Sequence, residues 1–138
     1  MTVSLESTLR SSHRGNMKRL TSLEKAVINK FLETNNMKPL SEKVLLDVSI
    51  RSRRFTAIGF LTEIETPELL HCALLPDTFA GGNVAAKINK GEVEAGFVIY
   101  LEKKNIKAIE GYDTRSELWP NEISCFDLYL HDHGNKPN

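Results

Sequence analysis

Apolar positions recur along this chain at two different spacings, and the changeover falls near Phe55. Before it, Leu23, Val27, Ile28, Phe31 and Leu32 repeat at three- and four-residue intervals, which makes one stripe along a helix. Ser22 is the expected N-cap, with Lys25 where a capping box wants Glu, and Asn35-Asn36 with Pro39 ends the helix. Val44, Leu45 and Val48 predict a second, short helix over 41–49. The stretch Arg51-Ser-Arg-Arg54 reads as a polar entry that separates the helices from the first strand.

After Phe55 the spacing becomes two. Ile58, Phe60, Thr62 and Ile64 alternate with Ala57, Gly59, Leu61 and Glu63, a strand in which Gly59 marks a bulge or a close backbone approach. Leu69 to Leu75, between Pro67 and Pro76, predicts a strand; residues 77–82 predict a loop. Val84 to Ile88 is a further strand, turned by Asn89-Lys90-Gly91. The sheet should centre on residues 95–112. Phe97 to Leu101 is a near-continuous β-branched and aromatic run, Lys103-Lys104-Asn105 has hairpin-loop length, and Asn105 accepts the left-handed conformation such loops use. The return run places Ile106, Ala108 and Glu110 on one face. Phe126, Leu128 and Leu130 share a face of the last strand, opposite Cys125, Asp127 and Tyr129. Confinement of the helical spacing to 22–49 predicts an α+β domain: two N-terminal helices packed on a mainly antiparallel sheet of about five strands.

That domain should span residues 21–131, between a basic tail at 1–20 and a polar tail at 132–138. The first segment, rich in Ser and Thr, reads as a disordered tail. Its composition also fits an organelle transit peptide, and Met17 as the natural start is a third reading. A length of 138 residues supports one hydrophobic core, and no apolar run reaches the roughly 18 residues of a membrane span. Cys72 and Cys125 lack metal-ligand spacing and sit in apolar surroundings, so both are expected as reduced core residues in a cytoplasmic protein.

The net charge of zero changes that picture when split. Residues 1–62 carry 11 Lys and Arg against 5 Asp and Glu; residues 63–138 carry 7 against 13. If folding preserves the split, one surface attracts a basic partner and another an acidic one; otherwise it is chance clustering on a solvated surface. Arg51, Arg53 and Arg54 are candidates for an anion contact, against a reading in which they pair with acidic residues of the later half. No aromatic is interleaved with them to stack bases, so no specific nucleic acid is expected.

Three arrangements resemble catalytic or metal sites. His131-Asp132-His133 places two imidazoles on one strand face, without evident further ligands. His71 and Cys72 are strand neighbours pointing to opposite faces, which prevents the histidine from activating the thiol. Among the acidic residues Glu63, Glu65, Glu102, Glu110 and Asp127, the pair Glu110 and Asp127 can serve a small hydrolase or transferase if the last strand pairs with the hairpin. A different constellation favours recognition: Tyr112 and Trp119 stand beside Gly111 where a central strand leaves the sheet, and such aromatics anchor interfaces. The alternative for Trp119 is a cap on the core beneath its own loop.

The residues Ala95-Gly96-Phe97-Val98-Ile99-Tyr100, Ile109-Glu110-Gly111-Tyr112 and Trp119-Pro120 resemble a group of small bacterial proteins. Its motifs have the form Gly-x-Gly-Phe, then Leu-Glu-Gly-Tyr, then Trp-Pro. Leu23-Glu24-Lys25-Ala26-Val27 and Gly59-Phe60-Leu61-Thr62 extend the likeness over residues 20–130. Ala95 departs from the usual glycine, and Asn83 and Lys87 from usual acidic residues. The resemblance implies a bacterial single-domain fold and no catalytic residue. By analogy with other small bacterial domains, it points to an immunity or accessory role. The function expected is therefore non-catalytic protein binding through Tyr112, Trp119, Glu110, Arg51, Arg53 and Arg54. No cofactor, metal or membrane is expected, and a homodimer is one form the protein partner can take.

Overall fold

A computed structural model describes residues 18–115 and 117–131. Helix α1 (Ser22–Thr34) begins one residue earlier in its cap than Ser22 implied. Thr21 is the N-cap, and its hydroxyl accepts from Glu24 N while Glu24 Oε1 accepts from Thr21 N, completing the capping box. The stripe Leu23, Val27, Ile28, Phe31 and Leu32 is buried as its spacing predicts. Full burial of such a side chain contributes about 1.5–3 kcal/mol. Asn29 then ties down the following turn by exchanging hydrogen bonds with the backbone of Leu40 (2.8 and 3.2 Å). Helix α2 (Glu42–Asp47) is shorter than expected because Val48 is already extended.

Among the described residues the sheet has seven strands rather than about five. The stretch taken as a polar entry is itself strand β1 (Ile50–Phe55), paired antiparallel with β2 (Gly59–Ile64). An edge strand needs little apolar surface, and only Ile50 of β1 is buried. The apolar run after Pro67 forms a 3-10 turn (Pro67–Leu70) instead of a strand. It buries Leu70 and Cys72, and Cys72 N bonds to Lys104 O at 2.7 Å. The expected loop at 77–82 contains a short strand β3 (Phe79–Gly81), followed by β4 (Val84–Ile88). Both lie against the long β5 (Val93–Glu102), β3 near its end and β4 near its start.

β5 and β6 (Asn105–Asp113) form the expected central hairpin, in the order β1-β2-β6-β5-β4-β7, where β7 is Phe126–Leu130. Lys103 and Lys104 supply the left-handed turn residues (φ 55° and 67°), while Asn105 is in the strand. A bulge changes the face assignment of β6. Tyr100 pairs with Ala108 but Leu101 with Ile106, so Lys107 is the extra residue. Ile106 and Ile109 consequently both reach the core, while Ala108, Glu110 and Tyr112 take the opposite face. At Gly59 the expected close approach is real: any Cβ there would overlap the carbonyl oxygen of Gly111.

Both helices cover one face of the sheet, and the sheet curls around α1. Arg53 and Phe55 from one edge and Phe126 from the other line the same cleft with Thr21 to Glu24. The expected boundary at residue 20 shifts, since Leu20 is buried and Lys18 O accepts from Ile50 N. The expectations for residues 1–17 and 132–138 lie outside the described residues. Among the described residues, no helix is long and apolar enough to cross a membrane.

Candidate functional site

The sheet face turned away from the helices is built in cross-strand rows. One row reads Arg54, Leu61, Glu110 and Val98 across β1, β2, β6 and β5. The next reads Gly59, Tyr112, Gly96, Ala85 and Tyr129, reaching the far edge at β7. All three tyrosines of the chain stand on this face: Tyr100, Tyr112 and Tyr129.

Each is held in place by its neighbours. Tyr100 donates its hydroxyl to Glu110 at 2.6 Å, across one strand and one step along. That bond, then partial burial, then the Glu110 charge push the Tyr100 phenol above its ordinary value. Tyr129 reaches over the small Ala85 of β4 to donate to Glu94 at 2.8 Å. Burial first, then the bond to Glu94 and its charge, raise its phenol as well. Tyr112 lies over Gly96, where an added Cβ would sit 2.7 Å from the hydroxyl and 2.8 Å from Cζ. Only glycine lets the ring lie there.

Beside Tyr112 an open groove of about 480 Å³ is lined by Arg54, Phe55, Ile58, Leu61 and Glu110. Its rim is apolar: Phe55 is 64 % and Ile58 37 % exposed. A cation, an anion and a phenol therefore surround apolar surface in one place.

Of the six candidate residues, Arg54, Glu110 and Tyr112 meet at this groove. Arg51, Arg53 and Trp119 do not. Arg51 lies where the register of β1 shifts and is exposed, beside Glu63, Glu102 and Lys107. Arg53 points to the helix face, where its guanidinium grips Glu24 through Nη2–Oε1 (2.5 Å) and Nε–Oε2 (3.0 Å). Thr62 completes the cluster, donating to Glu24 Oε2 at 2.5 Å. With both side chains under one-tenth exposed, this pair belongs to the core. Trp119 is 9 % exposed, its ring 5.4 Å from that of Phe60, and its backbone N–H donates to Ala57 O at 2.8 Å. The cap reading of Trp119 is the one its burial fits. The three arginines thus face three directions and make no common patch.

The catalytic alternatives do not assemble. The last strand pairs with β4, not with the hairpin, so β5 and β4 separate Glu110 from Asp127. Three strand spacings across and four residues along, since Glu110 is level with Val98 and Asp127 with Glu94, set their backbones about 20 Å apart. Cys72 is fully buried, and burial pushes its thiol up to about 11, which leaves it protonated and inert at neutral pH. His71 is exposed and its Nδ1 meets Asn105 Oδ1 at 2.8 Å. Cys125, expected in the core, is exposed, because its alternation phase turns it away from Phe126. Of the His131-Asp132-His133 arrangement only His131 is described. Among the described residues, no group of three or more His, Cys, Asp or Glu side chains is placed to hold a metal ion.

Sequence reasoning passed over Tyr100, Glu94 and Gly96. The signal was present: Glu94, Gly96, Val98 and Tyr100 share one parity on β5, the phase opposite to Phe97 and Ile99. Compared with family models, curated proteins and solved structures, the chain matches none.

Proposed function

We propose that this chain is a non-catalytic protein-binding domain of accessory or immunity type, acting in a bacterial cytoplasm. Its partner is another protein, received on the outer sheet face around Tyr112, Glu110 and Arg54. One observation carries this reading: the three tyrosines occupy a single face that no described element covers, each fixed by a carboxylate or by ring-on-glycine packing. Tyrosine buries a large area at low entropic cost, and a ring already held in place loses still less on binding. The bacterial assignment rests on the motif resemblance, and the cytoplasmic one on two free thiols. No specific nucleic acid is expected, since the arginines point apart and the outer face carries Glu63, Glu94 and Glu110.

The test is recovery of a defined partner with the tagged protein, repeated with Tyr112→Ala and Arg54→Glu. Both variants should keep the wild-type circular dichroism spectrum and lose at least about tenfold in affinity, as central interface residues do. A partner retained at full affinity by both variants contradicts the outer-face reading.

A further inference from the structure

The two end strands of the main sheet order, β1 and β7, are built differently. β1 carries Arg51, Arg53 and Arg54, a register break at Arg51, and at its start a backbone bond donated by Ile50 N to Lys18 O. Charge and irregularity of this kind prevent strands from adding to an edge. β7 has no such irregularity and little charge. It reads Phe-Asp-Leu-Tyr-Leu, pairs with β4 without a register break, and carries Asp127 as its one charge.

The hydrogen bonds at the ends of β7 fix which of its backbone groups are used. Asn89 N bonds to Cys125 O at 2.9 Å, and His131 N to Asn83 O at 2.6 Å. In an antiparallel ladder this phase alternates, so Asp127 and Tyr129 turn their N–H and C=O toward β4. Phe126, Leu128 and Leu130 turn theirs to the open edge, where no described residue takes them up. Side chains at this edge are also accessible, with Leu130 46 % and Tyr129 36 % exposed.

We propose that β7 is a self-association edge: a second copy of the chain pairs its own β7 antiparallel, about a twofold axis at Leu128. This goes beyond the outer-face reading and does not depend on it. The strand is self-complementary in that register. Leu128 meets Leu128 of the partner subunit, and Phe126 meets Leu130 of the partner subunit, all on the helix side. On the outer side Asp127 lies beside Tyr129 of the partner subunit. No like charges are opposed, which is what a stable cross-strand arrangement requires. Pairing β1 with β1 would set arginine near arginine. Pairing β7 with β1 of another copy is head-to-tail and does not close. The twofold β7 pair is the closed arrangement that leaves no charge conflict.

Sedimentation equilibrium of the full chain, from about 1 to 200 μM, tests this directly over the range where a modest dimer forms and dissociates. The expected result is a reversible species of twice the 15.6 kDa chain mass. Leu130→Lys, at a half-exposed position, should keep the circular dichroism spectrum and weaken association at least about tenfold by charging the edge. Tyr112→Ala should leave association unchanged. A second route does not depend on the lysine variant folding. In a Cys125→Ser background, Leu128→Cys should form a disulfide-linked dimer on mild oxidation, because directly opposed hydrogen-bonded residues have Cα atoms about 5.5 Å apart. The proposal is overturned by a monomer at every concentration, by species growing beyond twice the chain mass, by an uncrosslinked Leu128→Cys chain, or by a dimer sensitive to Tyr112→Ala but not to Leu130→Lys.

Discussion

Glutamates hold partners on both faces of the sheet, to opposite ends. On the helix face Glu24 is sealed in the core, accepting from Thr21 N, two nitrogens of Arg53 and the Thr62 hydroxyl. On the outer face Glu110 and Glu94 each take one phenol and stay partly open to water. The first arrangement ties α1 to β1 and β2; the second fixes the direction of rings that no described residue covers. A carboxylate surrounded by donors at the junction of three elements is architecture. A carboxylate orienting an aromatic that no described residue covers belongs, on the proposed reading, to a contact surface.

The largest expected effect lies on the helix face. Glu24→Gln should cost about 3–5 kcal/mol in urea unfolding, because it leaves the Arg53 charge buried without its counter-charge. A loss below 1 kcal/mol, or about that, would mean that water reaches the pair, and the contrast between faces would weaken. Smaller is Gly96→Ala, where the new methyl must displace the Tyr112 ring; a loss of about 1–3 kcal/mol is expected, as for other overpacked sites. Tyr112→Ala should be milder still, within about 1 kcal/mol, since the ring is half-buried on an uncovered face.

The subtlest effect is on titration. Tyr100 and Tyr129 have folded values raised above the ordinary 10.0, so neutral phenol bonded to carboxylate is the stabilised form. Their stabilisation is complete below the unfolded value and is lost as pH rises through the raised folded values. Tyrosinate absorbance of the folded protein should therefore appear late, and Glu110→Gln should move the Tyr100 step toward lower pH. A step that ignores Glu110→Gln would break the assignment of that bond.

Much of this contrast is visible in the sequence, and what is hidden is hidden for physical reasons. The α1 stripe and the central hairpin are legible because long periodic segments carry their burial pattern in their spacing. β1 is not, because an edge strand paired on one side needs few apolar residues and its arginines read as loop. The 3-10 turn at Pro67 is hidden because Leu69 to Leu75 suits a buried strand equally well. The core ion pair is hidden by distance, Glu24 and Arg53 being 29 residues apart. Its one local trace is Thr21-x-x-Glu24, a capping box whose carboxylate also lies beside the buried stripe. The outer face became readable only once the Lys107 bulge fixed which β6 residues join Tyr100.

The most direct test of the outer face as the binding surface is site-specific photo-crosslinking in the native cell. A photoreactive amino acid replaces Leu61, between Arg54 and Glu110 on that face, or Glu33, on the exposed side of α1. The expected result is a discrete protein adduct from position 61, absent from position 33 and removed when Arg54→Glu is added. An adduct from position 33 alone, or one from position 61 that survives Arg54→Glu unchanged, would contradict the account.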